Sequence, residues 1–170
     1  MKKIPLWRGR KKTDRVIAAY TMVDDLDYIK LSPFTWRYEK HKGPYTGYAK
    51  RYGRIGGQQG KFVVYNMARI ILGLKDGCRL YVDHIDGDGL NNQRSNLRVC
   101  TNSQNQFNKR VQRNNTTGFR GVSPGNRKFV ATISAFGEVI HLGTFPTKRE
   151  AADAYRAAAK KYHGEYSNVG

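Results

Sequence analysis

The sequence is short of acids, short of cysteine and without a long apolar run. Against 31 Lys and Arg stand 13 Asp and Glu in 170 residues, which leaves a formal charge of +18 at pH 7. A surplus of that size points to a polyanionic partner, with nucleic acid first among them. The two cysteines, Cys78 and Cys100, supply neither a disulfide framework nor a four-ligand zinc site, so a stapled secreted mini-protein and a zinc finger are excluded. The longest strongly apolar stretch, residues 68–74, is interrupted by Arg69 and is far too short to cross a bilayer. The opening MKKIPLWRGRKK is basic but leads into no apolar segment, so it does not read as a signal peptide. A soluble, intracellular protein is expected.

What is present is enough to fold. Hydrophobic residues make up 39% and aromatics 12%, 11 of them tyrosine, which is not the composition of a disordered chain. The charge is unevenly spread. No acid stands between Glu39 and Asp76, or between Asp88 and Glu138, while eight Lys or Arg stand in each gap. The acids gather instead at residues 24–27 and 83–88. Two basic stretches around one acidic cluster suggest a phosphate-tracking surface that surrounds a metal site.

Local signals divide the chain. Residues 1–14 are basic and lack periodicity, and read as an arm that stays disordered until bound. Residues 15–22 read as a strand, with Asp24 and Asp25 offering N-caps to a helix that ends at Ser32-Pro33. Residues 34–38 and 45–52 read as strand pieces separated by the turn-rich HKGP, residues 56–60 as a hairpin loop, 61–65 as a strand and 66–74 as a helix. Residues 81–84 and 96–100 read as two strands around a polar loop. Thr101-x-x-Gln104 has capping-box form and starts a helix to about Arg113. After the linker-like NNTTG come three strands, 119–123, 128–134 and 138–145. A second capping box, at Thr147, opens a helix with Ala151, Ala154, Tyr155, Ala158 and Tyr162 on one face.

The segment VDHIDGDGLNNQRSNLRVCTNSQNQFN, residues 82–108, carries the chemistry. Cutting a phosphodiester takes a hard divalent cation with oxygen ligands such as Asp and Asn, and a base that is neutral near pH 7, which suits His. Asp83 and His84 are adjacent on a strand end, and the helix that starts near Thr101 brings Asn105 on its first turns. The helix N-terminus favours phosphate.

This segment resembles the HNH (ββα-metal) nucleases, and in particular phage-type HNH homing endonucleases. The resemblance implies Asp83 as a metal ligand, His84 as the general base, Asn96 as the central asparagine that ties the loop and orients His84, and Asn105 as the residue completing the metal site. Asn108 is a candidate phosphate contact. Related sequences often carry Met-His-Arg in the preceding helix; here the triplet is Met67-Ala68-Arg69, with Arg69 kept to contact phosphate or brace the site. Residues 15–74 also look like the N-terminal part of such proteins. One divalent cation, Mg²⁺ or Mn²⁺ and not zinc, is implied.

The C-terminal third, GFRGV…KFVATIS…IHLGTFPTKREAADAYRAAAKKYHGE, looks like an AP2 DNA-binding domain. The resemblance implies a sheet that enters the major groove, with Arg120, Thr132, Ser134 and His141 where bases are read and Lys128 and Arg127 on the backbone. Ser123 and Val139 replace residues that are commonly Arg. The expected class is α+β: a basic arm (1–14), an N-terminal DNA-binding or structural region of mixed α/β content (15–60), the nuclease core (61–113), a linker (114–118) and an AP2-like three-stranded antiparallel sheet on one helix (119–170). The expected partner is double-stranded DNA, with no membrane; monomer and dimer, nicking and double-strand cleavage stay open, and a phage-encoded chain would work in its host's bacterial cytoplasm. A non-catalytic DNA-binding regulator with a degenerate core is the alternative, and a basic RNA-binding protein a third reading.

Overall fold

The computed structural model describes residues 1–9, 12–40, 47–75, 77–108, 111 and 114–167. The chain divides into two compact units, Met1–Asn102 and Ser103–Gly170, of mixed α and β content. Among the described residues no helix is long and apolar enough to cross a membrane.

The first unit is built on a five-stranded sheet of order β2-β1-β3-β4-β5. Its strands are β1 (Lys2–Arg8), β2 (Val16–Val23), β3 (Trp36–Glu39), β4 (Tyr48–Ile55) and β5 (Lys61–Asn66). All neighbours pair antiparallel except β1 with β3. The N-terminal residues expected to form a disordered arm thus include a strand in the middle of the sheet. Ile4 and Leu6 alternate into the core at 2% and 0% exposure, and pairing on both sides satisfies the backbone that a free arm would leave to water. The helix α1 (Asp25–Leu31) follows β2, with Asp24 as N-cap and Ser32 as C-cap. The helix α2 (Met67–Ile71) is shorter than the expected 66–74, because the chain turns at Gly73 with φ +67. Trp36, Leu6, Val23 and Met67 fill the centre of this core, and Trp36 Nε1 donates to the Leu31 carbonyl at 2.8 Å.

Two further strands, β6 (Tyr81–His84) and β7 (Leu97–Cys100), form a separate antiparallel pair. The loop between them completes the open edge of β2: Met22 N donates to the Leu90 carbonyl at 2.9 Å and Asn92 N to the Met22 carbonyl at 2.8 Å. An edge that would otherwise template aggregation is thereby closed, and the loop acquires a fixed address.

The second unit holds α3 (Asn102–Phe107), which starts at the boundary, and then β8 (Val122–Pro124), β9 (Phe129–Ala135), β10 (Glu138–Phe145) and α4 (Lys148–His163). Of the α3 extension expected to Arg113, residues 109, 110, 112 and 113 lie outside the described residues, as do HKGP and Tyr45. The three strands form an antiparallel sheet of order β10-β9-β8, with α4 packed on it. Thr147 caps α4, its side chain accepting from Glu150 N at 3.3 Å. Small residues let the helix lie close: Ala151, Ala152, Ala158 and Ala159 are buried with Tyr155. Gly121 completes the fit, since at φ +66 an added Cβ would overlap the Tyr155 ring. The segment expected to be a linker is a hydrogen-bonded turn, with Asn115 Oδ1 accepting from Thr117 N and Gly118 N, and Thr117 Oγ1 donating to the Val122 carbonyl at 3.0 Å.

Candidate functional site

The β6–β7 pair sets Asp83 opposite Arg98 and His84 opposite Leu97. Asp83 and His84 are both buried, at 5% and 8% exposure. A carboxylate so placed needs a partner, and Arg98 supplies it: Nε and Nη2 both reach Asp83 Oδ2, at 2.8 and 2.6 Å. This cross-strand ion pair was not anticipated, although opposite charges on facing positions follow once the hairpin register is known.

The loop after β6 is a net of side-chain bonds. Asp86 accepts from Asp88 N at 2.8 Å, Asn91 Nδ2 at 2.8 Å and Asn96 Nδ2 at 2.9 Å. Asn96 closes the ring by accepting from Asp86 N at 3.1 Å and donating to the Asn91 carbonyl at 2.8 Å. Burial opposes ionisation of Asp86, yet these donors together hold its carboxyl below the ordinary value. Asn96 therefore ties the loop. Asp86 serves the same purpose.

The side chain that meets the His84 imidazole is Asn92, which sequence reasoning passed over. Asn92 is 1% exposed, and its Oδ1 lies 3.2 Å from His84 Nε2. Its Nδ2 donates to Thr21 Oγ1 at 2.8 Å and toward the Gly89 carbonyl at 3.4 Å, while Thr21 Oγ1 donates to the Leu90 carbonyl at 2.7 Å. Because the amide's donor end is committed to these oxygens, its oxygen end must face His84, and Nε2 carries the imidazole proton. Burial pushes the His84 equilibrium below its ordinary value; the Asn92 bond and the charges of Asp86, Asp83 and Asp88 pull the other way without cancelling it. The Tyr48 ring stands 6.0 Å from the imidazole. Gly89 is required where this wall approaches, since an added Cβ would stand 2.6 Å from the Gly47 carbonyl.

The loop is also anchored to α1. Arg94 makes a two-pronged pair with the buried Asp27 at 2.8 and 2.9 Å, and Asp24 accepts from Arg94 N at 2.8 Å. Asp24 and Asp27 thus fix the loop between β6 and β7 as well as favouring the first turn of a helix. Arg69 braces the chain entering β6, donating to the Leu80 carbonyl at 2.6 Å, the Lys75 carbonyl at 3.1 Å and the Cys78 sulfur at 3.1 Å.

In the second unit, α3 carries Asn105. Asn108, just beyond it, is buried at 8%, so a phosphate would have to uncover it. Arg120 donates to the Phe107 and Gln106 carbonyls at 2.7 and 2.6 Å, and so caps the end of α3. The buried His163 stacks on Phe107 with centroids 3.6 Å apart and reaches the Ser134 carbonyl at 2.9 Å. On the sheet, Thr132 pairs with His141 and Ser134 with Val139. These positions alternate with the buried Ala131, Ile133 and Ala135, so all four lie on the face away from α4. Arg127 and Lys128 are exposed in the β8–β9 turn, Arg127 at φ +57. Of the proposed readers, then, Thr132, Ser134 and His141 share an open face, while Arg120 is committed to main-chain carbonyls.

Among the described residues no three His, Cys, Asp or Glu side chains converge in a metal-holding group. The carboxylate of Asp83 in the first unit and the side-chain amide of Asn105 in the second each offer the hard type of oxygen that Mg²⁺ and Mn²⁺ prefer. In donor chemistry these residues fit the cation.

Comparison with known proteins bears on the family. The sequence model of the family described as HNH endonuclease matches residues 74–107. An uncharacterized HNH endonuclease of Acanthamoeba polyphaga mimivirus is 36% identical over 135 residues, covering 79% of this chain and 68% of that protein. Protein 3.8 of Escherichia phage T7 is 29% identical over 89 residues, 51% of this chain and 73% of that protein.

Proposed function

The chain belongs to the HNH endonuclease family, and from that premise we propose that it is a metal-dependent, site-specific endonuclease of the homing type, acting on double-stranded DNA. The observation that carries the reading is the pose of His84, buried at the end of β6 with Nε2 held by an amide that is itself oriented. With the proton on Nε2, the lone pair lies on Nδ1, the nitrogen that takes a proton from the attacking water. Burial disfavours the imidazolium, which keeps the base neutral near pH 7.

Asp83 is the residue of the first unit that would hold Mg²⁺ or Mn²⁺. When bound, the cation supplies Lewis-acid polarisation of the scissile phosphate and stabilises the departing oxygen. Arg98 sets the direction of the Asp83 carboxylate, and Asn96 with Asp86 keeps the loop closed beneath His84. The AP2-like sheet selects the target, with Thr132, Ser134 and His141 against base edges and Arg127 and Lys128 against the backbone.

The Arg98–Asp83 pair favours a second reading, since a carboxylate committed to a guanidinium is compatible with a DNA-binding regulator whose core no longer cuts. Conversion of supercoiled plasmid with Mg²⁺ or Mn²⁺ separates the two. The nuclease relaxes or linearises the plasmid, and His84→Ala slows it by ~10²–10⁴ with DNA affinity kept. DNA binding without any conversion by the wild-type protein would establish the regulator. Relaxed circles appearing before linear product mean one strand is cut at a time.

A further inference from the structure

One face of the five-stranded sheet, apart from Tyr48 at its end beside His84, is not part of the site described above. Ala49 and Val63 are buried toward the core, and the cross-strand pairs Lys50↔Asn66, Tyr52↔Val64 and Arg54↔Phe62 lie on the opposite face. There Phe62 is 57% exposed and Val64 44%. The Tyr52 and Phe62 rings are nearly parallel, 23° between planes and 5.9 Å between centroids. The Arg37 guanidinium lies 5.7 Å from the Tyr52 ring centre. Glu39, an acid on the same face, is turned onto Tyr52 and accepts from its hydroxyl at 2.5 Å. Arg51, next in sequence, is on the other side, set between Phe34 and Tyr65 at 4.2 and 4.4 Å.

We infer that this face is a docking platform for a single strand of DNA, with unpaired bases stacked on Tyr52 and Phe62 and phosphates met by Lys50 and by Arg37 and Arg54, whose guanidinium groups also donate to the Gly9 and Gly60 carbonyls. Inside a duplex each base face is covered by its neighbour, so exposed rings on a sheet would meet only sugar and backbone. An unpaired strand presents its π-faces, and stacking on them tolerates any sequence. An apolar face would also suit a second copy of the chain. Three cations here and a chain charge of +18 oppose that and favour a polyanion. The platform does not rest on the nuclease reading, because strand binding is measured without metal and without cleavage.

The test is fluorescence anisotropy of the full-length protein in EDTA, with a labelled oligothymidylate and a labelled duplex of matched length. Phe62→Ala removes an exposed ring and should leave the core intact, to be checked by circular dichroism. It should weaken oligothymidylate binding about tenfold, near the lower part of the range for one stacked base, while Phe62→Tyr retains it. Duplex affinity should change less than about twofold, because the general basic surface is untouched. Arg54→Ala should flatten the slope of log K against log salt for oligothymidylate by roughly 0.7. Unchanged oligothymidylate affinity in Phe62→Ala overturns the platform, and so does an equal loss on duplex. A dimer in sedimentation that Phe62→Ala converts to monomer assigns the face to a second copy instead.

Discussion

Asn92→Ala tests the site at the residue on which the orientation of His84 depends. The substitution removes one acceptor from the buried His84 Nε2–H and one donor from Thr21 Oγ1. An unsatisfied buried polar group costs about 1–3 kcal/mol, and the void left by an amide adds to it, so the unfolding free energy of the first unit should fall by roughly 2–4 kcal/mol. The kinetic effect is separate. Without Asn92 the Nε2 proton loses the acceptor that selects it, so the tautomer and the ring orientation are less firmly set. Part of the ~10²–10⁴ contributed by a general base should then be lost, with DNA affinity retained.

Asn92→Asp gives a sharper reading. It keeps an acceptor for Nε2–H but places a negative charge beside the ring, which favours the imidazolium. The rate needs neutral His84 and therefore falls as pH drops through the folded-state value. In the wild-type protein that acid limb should lie below the ordinary 6.5, because burial lowers the equilibrium. In Asn92→Asp it should move to higher pH, and in Asn92→Ala, which loses a bond favouring the charged form, it should move slightly lower as the plateau drops. The assay is single-turnover plasmid cleavage across pH, with urea unfolding of each variant alongside. A folded Asn92→Ala protein that cleaves at the wild-type rate would refute the reasoning, as would a limb that stays in place in Asn92→Asp.

Arg120→Ala should lower stability by about 1–3 kcal/mol in urea unfolding, since it uncaps the Phe107 and Gln106 carbonyls, and should weaken target and scrambled duplexes alike; a loss confined to the target would make Arg120 a base reader. Cys100 is 2% exposed and its thiol is pushed up to about 11 by burial, so at pH 8 it carries roughly a hundredth of the thiolate of an ordinary cysteine. A disulfide-exchange reagent should label Cys100 only as the protein unfolds, and rapid labelling in native buffer would contradict the burial.

How much of this could be read beforehand depended on the range of the interaction that decides each feature. The helix start at Thr147 was legible because capping is local, Asp24 holds the N-cap position while its carboxylate is spent on Gln93 and Arg94, and β6, its loop and β7 were legible because their chemistry restricts residue types at fixed spacing. The strand β1 was missed for the opposite reason. Lys2–Arg8 buries only Ile4 and Leu6, too little for a periodic signal, and becomes a strand by pairing with β2 and β3. Arg51 and Lys50 look interchangeable in sequence, yet the alternation of β4 sends one between Phe34 and Tyr65 and the other to the open face.

Asn92 shows the limit most clearly. Asn91 and Asn92 are adjacent amides in one loop, and nothing local tells which turns inward. The choice is made by the open edge of β2, some seventy residues earlier, where Met22 takes up the loop backbone and Thr21 takes the Asn92 amide. In the proposed mechanism the N-terminal sheet would act on the chemistry without supplying a reacting group: its edge selects which asparagine faces His84, and through it which imidazole nitrogen would hold the lone pair. Thr21→Val tests that chain of cause at its far end. It removes the hydroxyl that orients Asn92 while leaving His84 and Asn92 in place, so it should reproduce a weaker form of the Asn92→Ala rate loss at unchanged DNA affinity. A stable Thr21→Val protein with wild-type cleavage would confine the role of β2 to folding.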